Sequence, residues 1–354
     1  MKTKTFLSKM SRKVVPYQWE SPAVANSLRF DSNTLPFPPP GVSRFLSDMK
    51  RTCPINEYSN PTYKRLKKLL STYENVPERS ITITNSGDEA IDIIAKAFLN
   101  PGDYFVTTPP TYEMFAIQCL INNGRNMEIP LGESFEVDET ELIRASNNPR
   151  TKIIILVNPN NPTGSAIPLE TIENIVSQSD CIVVVDQAYG EFYGKTAVSL
   201  IEKYKNLVIL KSLSKFAGLA GARIGYLISN PSLSSTFDAI RFPMGVSFLS
   251  YKLAEAVLEN DQIWMKEQIK MIKTERTRLA QALNALGLFV FPSEANFFLV
   301  KFGDKASSIC KQLKEKGILV RDRSIKPYLS GCVRITVRSR EENDQFIKTL
   351  RSIL

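Results

Sequence analysis

Short apolar runs separated by helix-patterned stretches organise the chain from about residue 80 onward. "SITIT" leads into "GDEAIDIIAKAF", and "YFVTT" leads through "PPTY" into "EMFAIQCLI". "KIIILV" follows, then a turn-rich "NPNNPTG", then "PLETIENIVSQ", "CIVVVD", "NLVILKSLS" and "YLISN". Several of these strands are apolar without alternation, as required when helices cover both faces of a sheet. The pattern predicts an α/β fold with a mostly parallel sheet covered by helices.

Residues 249–286 read as helical, with Gly287 as the C-terminal stop. The rhythm then changes. "LFVFP", "NFFLVKF", "KASSICKQLKEKG", "ILVRD", "CVRITVR" and a final "EENDQFIKTLRSIL" predict a smaller α+β domain. The Pro-rich "LPFPPPG" at 35–41 reads as an extended connector. The expected organisation is an arm at 1–41 joining the small domain, a large domain at 42–240, and a linking helix with the small domain at 241–354.

Composition narrows the chemistry more than the fold. The 354 residues include no histidine, which removes Ser-His-Asp and Cys-His catalysis and every His-ligated metal. No metal site is expected. Cys53, Cys119, Cys181, Cys310 and Cys332 are scattered without CxxC spacing, which points to reduced thiols and a cytoplasmic setting. The basic start "MKTKTFLSKMSRKVV" lacks the apolar centre of a secretory signal, and no apolar run is long enough to span a bilayer. The net charge of +9 is spread along the chain without a basic tail. It suits a surface that attracts anionic substrates, and no nucleic-acid or membrane partner is expected.

In open α/β sheets, ligands sit outside the carboxyl ends of parallel strands. The polar residues that end these strands are therefore the candidates. "IIILVN" runs towards Asn161, "IVVVD" ends at Asp186, and "LVILKSLSK" ends at Lys215. The helix after "ITITNS" opens at Gly87-Asp88 and offers free backbone N–H groups to an anion. Tyr112 follows the next strand. Singly, each has a plain structural reading as a cap, a turn or a solvated side chain. Together they set an acid, a base, an amide and an aromatic ring around one crevice.

This set resembles fold-type I pyridoxal-phosphate enzymes, specifically the class I/II aminotransferases, over nearly the whole chain. "SLSKFAGLAGARIGY" looks like the family's cofactor-lysine segment, and "NPNNPTG" and "DQAY" match two further signatures. "EYSNPTYKRLKKLLSTYENV", "NSGDEAIDIIAKAF", "PGDYFVTTPPTYEMF" and "CVRITVRSREEND" are most similar to the histidinol-phosphate aminotransferase branch. The resemblance implies pyridoxal 5'-phosphate as cofactor, attached covalently to Lys215. It implies Asp186 on the pyridinium nitrogen, Asn161 and Tyr189 on the phenolic oxygen, and Tyr112 stacked on the ring. Ser212, Ser214, Arg223 and the Gly87 and Asp88 amides would hold the phosphate, with Tyr58 supplied by the neighbouring subunit of a homodimer. Arg334 would hold a substrate carboxylate or phosphate bidentately and Arg321 would be a second anion contact. Tyr17 and Asn33 belong to the segment that covers the substrate.

The implied reaction is ping-pong transfer of an amino group from histidinol phosphate, or a related small-molecule donor, to 2-oxoglutarate. One departure bears on the donor. The branch reads Asn-Glu-Asn-Pro where this chain has Asn33-Thr34-Leu35-Pro36. An aromatic or other specialised amino-acid aminotransferase, or an enzyme like the threonine-phosphate decarboxylases, also suits that arm. The alternative from a different class is an anion- or nucleic-acid-binding protein on a degenerate fold. Intact Lys215, Asp186, Asn161, Tyr189 and Arg223 weigh against it.

Overall fold

The computed structural model describes residues 27–49 and 53–354. Among the described residues twelve strands form two sheets. In chain order they are β1 (Leu28–Phe30), β2 (Ile81–Asn85), β3 (Tyr104–Thr107), β4 (Arg125–Glu128), β5 (Thr151–Val157) and β6 (Ile182–Asp186). Then come β7 (Leu207–Ser212), β8 (Ile224–Ser229), β9 (Phe289–Val290), β10 (Phe297–Lys301), β11 (Ile318–Asp322) and β12 (Cys332–Thr336).

The seven-stranded sheet has the order β2-β8-β7-β6-β5-β3-β4. Only β8 is antiparallel to its neighbours, so β2 and β7, on either side of it, run the same way as the rest. Their carboxyl ends therefore lie along one edge, joined there by the start of β8. The unbroken apolar runs follow from burial on both faces. Ile153, Ile155 and Val157 pack with the helices Ser86–Phe98 and Glu113–Ile121, whereas Ile154 and Leu156 face the other core. That second core continues into the five-stranded sheet, β1-β11-β12-β10-β9, through Phe297, Phe298 and Ile335. β1 belongs to the expected arm and pairs in parallel with β11.

Two local expectations change. The stretch read as one helix forms two, Phe248–Asn260 and Gln262–Asn284, separated at Asp261. The Asp261 carboxylate accepts the Gly41 N–H at 2.7 Å, and a helix (Gly41–Met49) starts directly where the Pro-rich connector ends. An apolar periodicity that continues through a break gives no sign of such a long-range bond. Gly287, at φ +80°, lies just beyond the second helix.

Under the sheet edge sits a closed charge cluster. Lys211 Nζ lies 2.8 Å from a Glu74 oxygen and 2.8 Å from a Glu191 oxygen, with all three side chains buried. The Tyr226 hydroxyl also donates to Glu74. Burial opposes the Lys211 charge, but Glu191 and Glu74 outweigh it and hold its pKa above the ordinary value. Burial, opposed by Lys211 and reinforced by Glu74, pushes the Glu191 carboxyl above its usual range. Removing only the cation would strand two buried carboxyl groups. Lys211→Met should cost about 3–5 kcal/mol in urea unfolding. Adding Glu74→Gln and Glu191→Gln should recover most of that loss; no recovery would mean the lysine acts by packing alone.

Candidate active site

The strand ends of the seven-stranded sheet place most of the predicted residues around one cavity of about 560 Å³. Gly87 and Asp88 reach it from the end of β2, Tyr112 from β3, Asn161 from β5, Asp186 and Tyr189 from β6, and Ser212, Ser214 and Lys215 from β7. Arg223, at φ +54°, enters where β8 begins. Arg321 and Arg334, directly paired across β11 and β12, bring the five-stranded sheet to the same space. Such a volume suits a cofactor with a small substrate.

The helix after β2 opens at Ser86, one residue before the expected Gly87. Its first turn approaches β8 so closely that a Cβ on Gly225 would lie 2.4 Å from the Ser86 carbonyl carbon and 2.7 Å from Gly87 N. Glycine is required there by contact. Beside this helix start, Ser212 Oγ donates to Ser214 Oγ at 2.9 Å. The Asp88 carboxylate takes an ion pair from Arg223 at 2.7 Å and the Tyr112 hydroxyl at 3.0 Å. The Asp88 N–H turns back to Ser86 Oγ at 3.2 Å.

Lys215 Nζ donates to the Ser32 carbonyl at 3.2 Å and lies 5.6 Å from the centre of the Tyr189 ring. That hydroxyl accepts from Asn33 Nδ2 at 3.0 Å. Arg334 Nη1 donates to Asn161 Oδ1 at 2.6 Å, Nη2 donates to the Asp31 carbonyl, and the guanidinium lies over Phe297. Asn33 is 1% exposed and engages protein with both amide atoms, through Tyr189 and Thr336. Tyr58 is 89% exposed and does not line this cavity within its own chain. Tyr17 lies outside the described residues.

Asp186 is 5% exposed and accepts the Ala188 N–H at 2.9 Å. Burial pushes its carboxyl up to about 7, the Ala188 N–H and the Lys215 ammonium oppose this, and Asp88 adds to it. A buried acid aimed into a cavity calls for a cationic partner.

Four further groups reach the cavity from positions not singled out in the sequence. Asp31 and Ser32 offer backbone carbonyls, and Arg323 and Glu113 line the wall. Glu113 pairs with Lys326 at 3.0 Å and faces Arg323 at 3.6 Å. Arg323 lies one residue past the end of β11, where its N–H still bonds the Cys332 carbonyl at 3.0 Å, so alternation continued from Arg321 is the one signal that could have found it. Among the described residues no group of His, Cys, Asp and Glu could hold a metal ion, and no helix is long and apolar enough to cross a membrane. Burial raises the Cys119 and Cys181 thiols to about 12, as suits inert core residues.

The family model for aminotransferase class I and II matches residues 25–350. The chain belongs to that family. Over 338 residues it is 38% identical to the histidinol-phosphate aminotransferase of Thermoanaerobacter sp. (strain X514), covering 95% of each chain. It is 37% identical over 342 residues to the enzyme of the same name from Caldanaerobacter subterraneus subsp. tengcongensis, covering 96% of this chain and 94% of that one. The histidinol-phosphate aminotransferase from Sinorhizobium meliloti, solved in complex with pyridoxal-5'-phosphate, superposes with a TM-score of 0.85 at 27% identity. That match covers 93% of this chain and 92% of the other.

This family member is an aminotransferase, with pyridoxal 5'-phosphate as cofactor and small-molecule amino donors and acceptors as substrates. Its cavity fits that cofactor. An open helix start held close by Gly225 and flanked by serine hydroxyls and Arg223 suits a phosphate. The buried Asp186 suits a protonated ring nitrogen, and the Lys215 amine suits an aldehyde.

The raised Asp186 carboxyl makes a prediction for protein stripped of cofactor. A folded-state pKa above the unfolded value gives stability that is complete below about pH 4 and lost as pH rises through about 7. Asp186→Asn has no such titration. Between these limits the mutant should gain on the wild type by at most about 1.4 kcal/mol per pH unit. Parallel thermal melts of the two cofactor-free proteins would reveal it; parallel curves across that range would overturn the assignment.

Proposed function

We propose that this aminotransferase transfers the amino group of histidinol phosphate, or a closely related donor, to 2-oxoglutarate in a ping-pong cycle. The observation that carries the donor class is the buried cluster of Arg321, Arg323 and Arg334 on the cavity wall. Three guanidiniums suit a phosphate dianion and a carboxylate in turn. Histidinol phosphate has no carboxylate, so its phosphate and a carboxylate of the 2-oxo acid would use the same wall in the two halves of the cycle. The similarity to named histidinol-phosphate aminotransferases supports this reading.

Lys215 Nζ would hold the cofactor covalently and would act as the base once the donor amine is bound. Nζ then takes the proton from the donor α-carbon. Asp186 keeps a proton on the pyridine nitrogen. With Asn161 Oδ1 engaged by Arg334, its NH2 group would remain for the phenolic oxygen, to which the Tyr189 hydroxyl would also donate. Ser212, Ser214, Arg223 and the Gly87 amide would hold the phosphate, joined by the Asp88 amide once it leaves Ser86 Oγ, and Tyr112 would stack on the ring. The cofactor, when bound, supplies an electron sink conjugated to the donor α-carbon. Loss of the carbonyl product before the 2-oxo acid enters makes the cycle ping-pong.

The same reading makes the protein a cytoplasmic homodimer with shared sites. Tyr58, exposed and outside its own cavity, would reach the neighbouring subunit's cofactor phosphate. Tyr17 and Asn33 would belong to the segment covering the substrate. The arm at 1–41, the large domain at 42–240 and the linking helix with the small domain at 241–354 would complete it. A second reading, with an unphosphorylated aromatic donor, draws on Thr34, an uncharged cavity residue in place of the branch's acid.

A panel of histidinol phosphate, phenylalanine, tyrosine and threonine phosphate with 2-oxoglutarate separates these readings. Histidinol phosphate should give the highest kcat/KM; preference for an aromatic donor would replace the first reading. Carbon dioxide release from threonine phosphate without use of 2-oxoglutarate would mark a decarboxylase. Lys215→Ala should lose turnover together with covalent cofactor attachment, read by mass after borohydride reduction. Arg334→Lys should raise KM for the preferred donor about 10–100-fold, matching a lost charge-assisted bond of about 1.5–3 kcal/mol.

A further inference from the structure

The Tyr189 hydroxyl has a hydrogen-bonding environment set by two residues outside the strand end that carries it. Asn33 stands at φ +54°, a left-handed conformation that asparagine tolerates better than most residues. Its side chain consequently lies between Tyr189 and Thr336. The Asn33 N–H donates to Thr336 Oγ1 at 3.0 Å. That leaves the one proton of the Thr336 hydroxyl to donate to Asn33 Oδ1, at 3.1 Å. With its oxygen engaged there, the amide presents its NH2 end to the Tyr189 oxygen at 3.0 Å. Tyr189 must therefore accept on this side, and its own proton points elsewhere.

We infer that Asn33 is a positioning residue which orients the Tyr189 proton towards the cofactor pocket, and that Thr336 fixes Asn33 in the required sense. The inference rests on the proposed donation from Tyr189 to the phenolic oxygen of the cofactor. It goes further by giving the cause of that donation, and it moves Asn33 from substrate contact to support of Tyr189.

Three observations favour an orienting role over a merely spacing one. The Tyr189 ring is held independently by an edge contact with Phe297, its centroid 5.0 Å away at 81°. The Asn33 carbonyl accepts from Asn296 Nδ2 at 3.1 Å, so the backbone of the arm is tied separately from its amide. Thr336 lies two residues beyond Arg334 on β12 and shares its face of the sheet. Both residues grip the arm, Arg334 at the Asp31 carbonyl and Thr336 at Asn33. The strand that carries the proposed anion contact thus also sets the direction of the hydroxyl.

Asn33→Asp is the direct test, because it keeps size and shape and reverses one hydrogen bond; it also adds a negative charge, for which the uncharged Thr336→Val is the control. A carboxylate accepts from Thr336 and also accepts the Tyr189 proton, turning it away from the pocket. The readout is the pH midpoint of the bound cofactor's visible absorbance in the holoenzyme, with donor kcat and KM measured separately. A donor to the phenolic oxygen stabilises its charged form, so Tyr189→Phe should move the midpoint by about one pH unit. Asn33→Asp should move it in the same direction by roughly half of that or more, lower kcat and leave donor KM unchanged. In a Tyr189→Phe background, Thr336→Val should add nothing, since one acts through the other, and Asn33→Asp should add only the through-space effect of its charge. Thr336→Val should reproduce the shift and Thr336→Ser should not, which keeps the test intact if Asn33→Asp fails to fold.

A midpoint unmoved by Tyr189→Phe would overturn the proposed role of Tyr189 itself. If Tyr189→Phe moves the midpoint while Asn33→Asp and Thr336→Val do not, the positioning role alone falls. A rise in donor KM with the midpoint fixed would also overturn it and return Asn33 to direct substrate contact.

Discussion

Burial of both faces of the seven-stranded sheet is the constraint on which the site depends. Ile153 to Val157, Val183 to Val185 and Leu207 to Leu210 send side chains alternately into two apolar cores. Neither face can accept a charged group without a partner. Polar chemistry is confined to the edge, and the shared direction of every strand but β8 brings six carboxyl ends to the same edge. Lys215, Asp186, Asn161 and the helix start at Ser86 come together by this geometry, although Ser86 and Lys215 lie 129 residues apart in the chain.

Two buried acidic groups near that edge illustrate opposite solutions. Glu191 shares Lys211 with Glu74, and the charge is answered within the protein. Asp186 has the Ala188 N–H and a distant lysine, and burial drives its carboxyl up to about 7. A perturbed acid facing a cavity marks a place prepared for a cationic ligand. The first cluster stabilises the sheet, and the second suits the cofactor's ring nitrogen.

The arm segment from Asp31 to Leu35 links the two sheets. It accepts from Lys215 and Arg334, engages Tyr189 and Thr336, and gives the Thr34 and Leu35 carbonyls to Arg338. Arg338 is itself paired with Glu342, beside the capping box Ser339–Glu342 that starts the last helix. Most of these arm contacts use backbone atoms, so the Thr34 and Leu35 departures leave the anchoring intact and alter mainly what faces the cavity. The chemistry of the cofactor and the choice of donor are in this way carried by different parts of one short segment.

The sequence by itself determined the layered α/β class, the cofactor family and the strand-end residues. Unbroken apolar runs demand a doubly covered sheet, and the lysine segment with "NPNNPTG" and "DQAY" keeps its meaning at fixed short spacing. The resemblance also pointed to Arg321 and Arg334, and both line the cavity. Only the tertiary structure decided what each group touches. The split at Asp261 depends on a bond to Gly41, and the reach of Arg323 into the cavity depends on how the second sheet packs. The direction of the Asn33 amide depends on a threonine 303 residues away. Local pattern carries propensity and burial, whereas hydrogen-bond direction and charge pairing arise between segments that meet only when the chain has folded.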